Sequence, residues 1–227
     1  MHEPEIRVEW VGAEREPVVV ADDFVADVAG VAAAAQSSSL RDTGDYYPGR
    51  RAIVDGAYLT AIGSTMADAL REFFGARGGV QVLRAYYSLA TTLPAQLAVS
   101  QRIPHVDAYD PQQIALVHFL GECDLGGTAF FRHRSTGFES VDTSRRQRYH
   151  EALAADLQRH GEPPAEYIGA ASPLFERTHV CPPRYNRAIF FRGTLLHCAA
   201  LHGVRELPDD PLYGRLTVAG FLKALRE

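Results

Sequence analysis

His105-Val106-Asp107 sets an imidazole and a carboxylate two residues apart. Alternate residues of an extended chain project to one face, so this pair can reach a single metal ion. The spacing alone is weak, because His160-Gly161-Glu162 repeats it where a helix should end before Pro163 and Pro164, with no strand beside it. The first copy has different surroundings. Pro104 precedes it, an apolar strand Ile114 to Leu120 follows it, and Gly126-Gly127-Thr128 opens a further strand. A third element comes late, where Leu195-Leu196-His197 follows the apolar run Ala188-Ile189-Phe190-Phe191. The last strand signal, Gly214-Arg215-Leu216-Thr217-Val218-Ala219-Gly220-Phe221, puts Arg215, Thr217 and Ala219 on one face, so a guanidinium and a hydroxyl can converge on one anion.

These residues need elements to hold them. Pro17 to Val20 reads as a short buried strand, and Asp22-Asp23 as the N-cap of a helix from Phe24 to about Gln36. A loop rich in Ser, Arg, Asp, Gly and Tyr follows from Ser37 to Ala57, with an aromatic turn at Tyr46-Tyr47-Pro48-Gly49-Arg50-Arg51. A second helix is expected from Ser64 to Phe74, ended by Gly75. From Val80 onward the pattern turns to period two, with strands expected at Val80 to Leu89, Leu97 to Arg102, Gln113 to Leu120 and Thr128 to Arg132. Ser144 to His160 reads as an amphipathic helix, the segment to Pro183 stays unassigned, and strands at Arg187 to Phe191 and Arg215 to Ala224 close the chain. Helices first and strands later, with one helical insertion, predict an α+β domain with a β-sandwich or barrel core.

Composition narrows the function. The chain has 227 residues, of which 46% are hydrophobic and 22% charged, enough to bury a core without disulfides or a structural metal. A net charge of -5, with no basic stripe, argues against a nucleic-acid partner. The acidic start at His2-Glu3-Pro4-Glu5 is unlike a secretory leader, and no apolar run is long enough to span a bilayer, so a cytoplasmic location without a membrane partner is expected. Cys123, Cys181 and Cys198 are an odd number with no C-x-x-C spacing, which fits reduced thiols. Lys223 is the sole lysine, so any internal clamp on a carboxylate should be an arginine.

The order H-x-D, G-G-T, His and R-x-T, from about Val80 to Phe221, resembles the Fe(II)- and 2-oxoglutarate-dependent oxygenases, and among them small bacterial prolyl-hydroxylase-like proteins with P-H-x-D and G-R-L-T motifs. The resemblance implies a mainly β, α+β fold: a double-stranded β-helix (jelly roll, cupin-like) with the N-terminal helices packed on its sheet. It implies one domain over 1–227, in which 1–79 is a mainly helical support and 80–227 the jelly-roll core with a helical insertion around 144–160. It implies iron held by His105, Asp107 and His197, with open positions for co-substrate and O2, and 2-oxoglutarate held at its distal carboxylate by Arg215 with help from Thr217. Related halogenases lack the carboxylate ligand so that chloride can bind, so Asp107 points to hydroxylation or desaturation. His202 is a rival third ligand, although His202-Gly203 reads as a turn whereas an apolar strand leads into His197.

Tyr47, Arg51, Tyr87 and Arg132 are candidate substrate contacts, with packed turns and solvated strand ends as the alternatives; of Tyr86 and Tyr87, alternating on one strand, one should face inward. His118, inside an apolar strand, reads as a core histidine, and Cys198 should point away from the metal. The expected enzyme is a dioxygenase that hydroxylates a small molecule, such as a free amino acid or an anionic metabolite; a homodimer is left open. Competing readings are a hydroxylase of peptidyl or carrier-bound substrates, a non-catalytic metal- or ligand-binding jelly roll, and a zinc hydrolase with the same three ligands.

Overall fold

The computed structural model describes residues 3–43, 46–122, 124–170 and 172–226. The chain opens with a hairpin, β1 (Glu5–Val11) and β2 (Glu16–Asp22), followed by α1 (Val28–Ser37), two short strands β3 (Arg41–Asp42) and β4 (Gly49–Ile53), and α2 (Gly56–Phe74). Then come β5 (Val80–Ala90), β6 (Gln113–Phe119), β7 (Thr128–His133), α3 (Arg146–His160), β8 (Phe175–Cys181), β9 (Ala188–Arg192), β10 (His197–Ala199) and β11 (Arg215–Ala224). The fold is mostly β, with antiparallel pairing between every neighbouring pair of strands.

The strands form two sheets. The larger has the order β1-β2-β9-β6-β11-β5-β4-β3, the smaller β10-β7-β8. Alternation sorts the side chains of the larger sheet. One face, carrying Val19, Tyr87, Leu116, Phe190 and Val218, is buried under Ala35 of α1, under Tyr58, Ile62 and Leu70 of α2, and under Phe24 of the segment before α1. The other, carrying Val18, Val20, Ala115, Ile189 and Phe191, packs against Phe130 and Cys181 of the smaller sheet. The outer side of the smaller sheet is closed by α3 and neighbouring loops around Phe131, Tyr149 and Phe175. No described helix is long and apolar enough to cross a membrane.

Several expectations change. The chain begins with a hairpin, because Ile6, Val8 and Trp10 continue a period-two pattern that pairs with Val19, Ala21 and their neighbours in register. Asp22 does not cap a helix: it is buried, accepts bonds from Arg187 Nε at 2.6 Å and Arg7 Nη1 at 2.7 Å, and is held near pKa 2 chiefly by the Arg187 bond. The cap of α1 is Asp27, which accepts from Gly30 N at 2.9 Å. Likewise α2 starts eight residues earlier than expected, at the Asp55 cap, and ends as predicted at Gly75, whose φ of 71° is the left-handed cap conformation. The loop expected over Ser37 to Ala57 contains β3 and β4, and the unassigned stretch contains β8. Leu97 to Arg102 is not a strand. It holds the 3-10 turn Val99–Gln101, which follows a first such turn at Pro94–Gln96; Gln96 and Gln101 close the two turns by accepting from Leu93 N and Ala98 N. Cys123 lies outside the described residues.

Candidate metal centre

The segment bearing His105 and Asp107 is drawn beside β10 by its backbone. His105 N donates to His197 O at 3.0 Å and His197 N to His105 O at 2.9 Å, so the two histidines form an isolated antiparallel bridge. Asp107 N donates to Gly193 O at 2.8 Å, which anchors the second residue of the motif to the turn between β9 and β10. Opposed residues of an antiparallel pair share a face, and so do residues two apart on one strand. The three side chains therefore meet. Asp107 Oδ1 lies 3.6 Å from His105 Nε2 and Oδ2 lies 3.5 Å from His197 Nε2, and all three donor atoms lie within 4.8 Å of one another. Donors about 2.1 Å from one ion stand roughly 3 Å apart, so the cluster must draw together somewhat to close on a metal.

His197 is set before any metal arrives. Its Nδ1 lies 2.8 Å from Leu195 O, and a carbonyl can only accept, so Nδ1 carries the proton and Nε2 presents its lone pair to Asp107. Phe191 packs edge-on against the ring at 4.6 Å. Burial pushes the His197 imidazole down to about 4, which keeps it neutral at physiological pH. Burial would raise Asp107, but the two imidazoles outweigh it and hold the carboxyl below its ordinary range. His105 is about half exposed, which leaves the cluster open on one side. Two neutral imidazoles, one carboxylate and an open flank can bind a divalent first-row metal and leave room for further ligands.

A second constellation lies on the inner face of the larger sheet. Arg215 opposes Ala90 and Thr217 opposes Ser88 and Phe119. The buried Arg215 guanidinium donates from Nε to Gly126 O at 3.1 Å and from Nη2 to Gly127 O at 2.9 Å. The glycines permit this approach: a Cβ at Gly127 would collide with Cys181 O, and Gly126, at φ +73°, runs against Ala200 O. Burial lowers the Arg215 pKa, yet a guanidinium stays protonated. Beside Arg215 and Thr217 sits the Tyr47 hydroxyl, which is buried without a well-formed hydrogen bond. A charged donor, a hydroxyl and an unsatisfied phenol around one point make a site for an anion.

Of the candidate substrate contacts, Tyr47 and Arg51 are near this site. Arg51 Cζ lies 4.1 Å from the centre of the Tyr47 ring, and its charge acts on Asp107. Tyr87 does not face the site. It opposes Val218, which opposes His118, in a row on the outer face beneath α2; the inward residue is Tyr86, whose ring centre lies 5.3 Å from Arg51 Cζ. Arg132 is also misplaced: it lies towards the end of β7 remote from Arg215, tied to Glu176 at 2.7 Å. His202 bonds Tyr167 O at 3.1 Å and is not in the His105–Asp107–His197 cluster. Cys198 packs against the outer cluster of the smaller sheet. Tyr167, buried near Arg215 with its hydroxyl donating to Thr92 O at 2.8 Å, was not foreseen, since its segment has no periodic signal.

Residues 2–222 match a family described as a family of unknown function (DUF6445). The chain belongs to that family. A search of curated proteins gave no match to this DUF6445 member. Among solved structures it is similar to HygX from Streptomyces hygroscopicus with nickel and 2-oxoglutarate bound, at 12% identity and a TM-score of 0.50, covering 92% of this chain and 84% of that one. It is also similar to the non-heme alpha ketoglutarate dependent epimerase SnoN from nogalamycin biosynthesis, at 15% identity and a TM-score of 0.50, covering 92% and 78%. EctD from S. alaskensis with 2-oxoglutarate and 5-hydroxyectoine matches at 15% identity and a TM-score of 0.50, covering 99% and 84%. At these identities the matches establish a shared fold.

Proposed function

We propose that this DUF6445 member is an Fe(II)- and 2-oxoglutarate-dependent dioxygenase that hydroxylates a small molecule, folded as one domain. The observation that carries the reading is the convergence of His105, Asp107 and His197 with one flank open. Strand order supports it. The row β5-β11-β6-β9 faces a second row formed by the His105 bridge, β10, β7 and β8, which is how a double-stranded β-helix interleaves its strands. The solved structures of the same fold that hold 2-oxoglutarate with nickel add weight.

The residues present fit both groups. His105, Asp107 and His197 would hold iron, leaving positions for a bidentate keto acid and O2. Arg215, Thr217 and the unsatisfied Tyr47 hydroxyl would hold the far carboxylate of 2-oxoglutarate. Bound together, metal and co-substrate would couple loss of CO2 from 2-oxoglutarate to O2 cleavage, with one oxygen atom ending in succinate and the other in a C–H bond of the substrate. The chain orients these partners. Leu195 O fixes the His197 tautomer, Gly193 O fixes Asp107, and the Gly126 and Gly127 carbonyls hold the Arg215 fork in place. Arg215 also separates this reading from a zinc hydrolase or a bare metal-binding jelly roll, neither of which needs a buried dicarboxylate clamp.

The test is an anaerobic titration of the Fe(II)-loaded protein with 2-oxoglutarate. A visible charge-transfer band is expected in the wild type and absent in His105→Ala and Asp107→Ala. A wild type that binds iron but gives no band contradicts the oxygenase and favours the binder.

A further inference from the structure

The inner face of the larger sheet changes character along β11. Arg215 and Thr217 are buried, whereas Ala219, Phe221 and Lys223, which follow on the same face, are half-buried. The outer-face residues between them, Leu216, Val218 and Leu222, stay buried throughout, so the opening belongs to the inner face alone. The metal ligands sit beside it. Phe191, which packs edge-on against His197, opposes Ala115, Ala115 opposes Phe221, and Phe221 opposes Arg84, so the four form one row across the sheet. Neighbouring strands are about 4.8 Å apart, which puts Phe221 roughly 10 Å from Phe191. Arg84 is exposed and reaches back along this row: its Cζ lies 4.4 Å from the centre of the Phe221 ring. Among the described residues it makes no hydrogen bond or ion pair. Lys223, the next cation along β11 on this face, is tied to Asp110 at 3.1 Å. Tyr86 stands edge-on to Phe221 at 6.5 Å, and Ile53, opposite Tyr86, is 80% exposed, so the floor around Arg84 is apolar and aromatic.

We propose that Arg84, seated on Phe221, binds a carboxylate of the substrate and so selects molecules with an apolar body that ends in an acid. The inference rests on the dioxygenase reading given above and names the substrate class for that site. Phe221 holds the guanidinium by its flat face, which leaves the N–H edge for an acceptor. That edge is a planar fork, and one such fork fits one carboxylate. Arg215 lies roughly 20 Å away along β11, too far for one small acid's carboxylate to reach both guanidinium groups. The two therefore hold different molecules. A substrate held by its acid on Arg84 lays its apolar end towards Phe191 and His197, where the C–H bond to be oxidised must lie.

The experiment uses hexanoate as probe and hexanamide as its neutral counterpart, added to the whole protein loaded with Mn(II) and 2-oxoglutarate. Mn(II) takes the same donor set as iron and broadens NMR lines more the nearer the proton; the Zn(II)-loaded protein is the diamagnetic control. In the wild type the hexanoate lines should broaden, the terminal methyl more than the protons beside the carboxylate, and the hexanamide lines should not. Arg84→Gln should reduce the hexanoate effect at least ~10-fold while 2-oxoglutarate affinity by calorimetry stays within about threefold of wild type, and Arg84→Lys should keep part of the effect. Arg84 is exposed, so neither substitution threatens the fold. Equal broadening by hexanamide, no hexanoate broadening in the wild type, or an unchanged effect in Arg84→Gln overturns the proposal. So does the reverse order along the probe, with the protons beside the carboxylate broadened most, which would put the acid on the metal itself. If the wild-type Mn(II) protein binds no 2-oxoglutarate by calorimetry, the parent reading fails, and this one with it.

Discussion

The two faces of the larger sheet each bury a histidine environment, and they use it in opposite ways. On the outer face, beneath α2, His118 is fully buried and burial holds it down to about 4. Between the sheets, His197 is nearly as buried and is held at the same level for the same reason. Both nitrogens of His118 are satisfied by protein, with Tyr58 Oη and Asn186 Oδ1 each at 3.1 Å. His197 spends Nδ1 on a carbonyl and turns Nε2 to a carboxylate and a second imidazole. Burial and a depressed pKa are therefore common to both histidines, and what differs is the nitrogen that His197 turns to the cluster. Carboxylates make the same contrast. Asp22 is surrounded by the guanidinium groups of Arg7, Arg184 and Arg187, whereas Asp107 faces two imidazoles.

Substitutions can break this comparison. The largest effect is expected from Asp107→Ala, which should abolish stoichiometric iron binding by elemental analysis while leaving the fold intact by circular dichroism. Asp22→Ala should do the reverse: it strands the buried Arg187 charge, costing about 3–5 kcal/mol in denaturant unfolding, with metal binding kept in the folded fraction. Arg215→Ala should weaken 2-oxoglutarate binding by about 2–5 kcal/mol by calorimetry at nearly unchanged metal content.

Acid sharpens the contrast. His118 stays neutral in the folded state down to about pH 4, while the unfolded chain protonates it near pH 6.5. The unfolded state thus binds more protons between these values, so the His118 contribution is present above about pH 6.5 and declines as pH falls towards 4, by roughly 2–3 kcal/mol. Replacing His118 by Gln should flatten that part of the stability profile in urea titrations. The smallest expected effect belongs to Tyr47→Phe, which removes one neutral hydrogen bond and should weaken 2-oxoglutarate binding by about 1 kcal/mol.

Much of this was legible in the sequence, and for identifiable reasons. The bounds of β11 match the strand expected at Arg215 to Ala224, and β6 and β7 match within a residue, because period-two runs of β-branched and aromatic residues specify a strand whatever pairs with it. The trio His105, Asp107 and His197 was implied by the family resemblance, and the structure brings the three side chains together. Other features depend on partners distant in sequence. Whether Tyr86 or Tyr87 faces the site is a matter of parity, settled only by pairing Tyr86 with Ala219. Asp22 has the chemistry of a cap and becomes an ion-pair partner because β2 pairs with β9 one residue away from Arg187. Leu97 to Arg102 has strand-like composition, but the Gln101 side chain, accepting from Ala98 N, closes it into a turn.

The central claim is that three side chains separated by about ninety residues share one metal ion. Anomalous diffraction at the iron edge, from crystals grown anaerobically with Fe(II), tests it most directly. The account predicts one strong peak within about 2.2 Å of His105 Nε2, His197 Nε2 and an Asp107 oxygen. A peak beside His160 and His202 instead, or an imidazole of the trio turned away from bound iron, would contradict it.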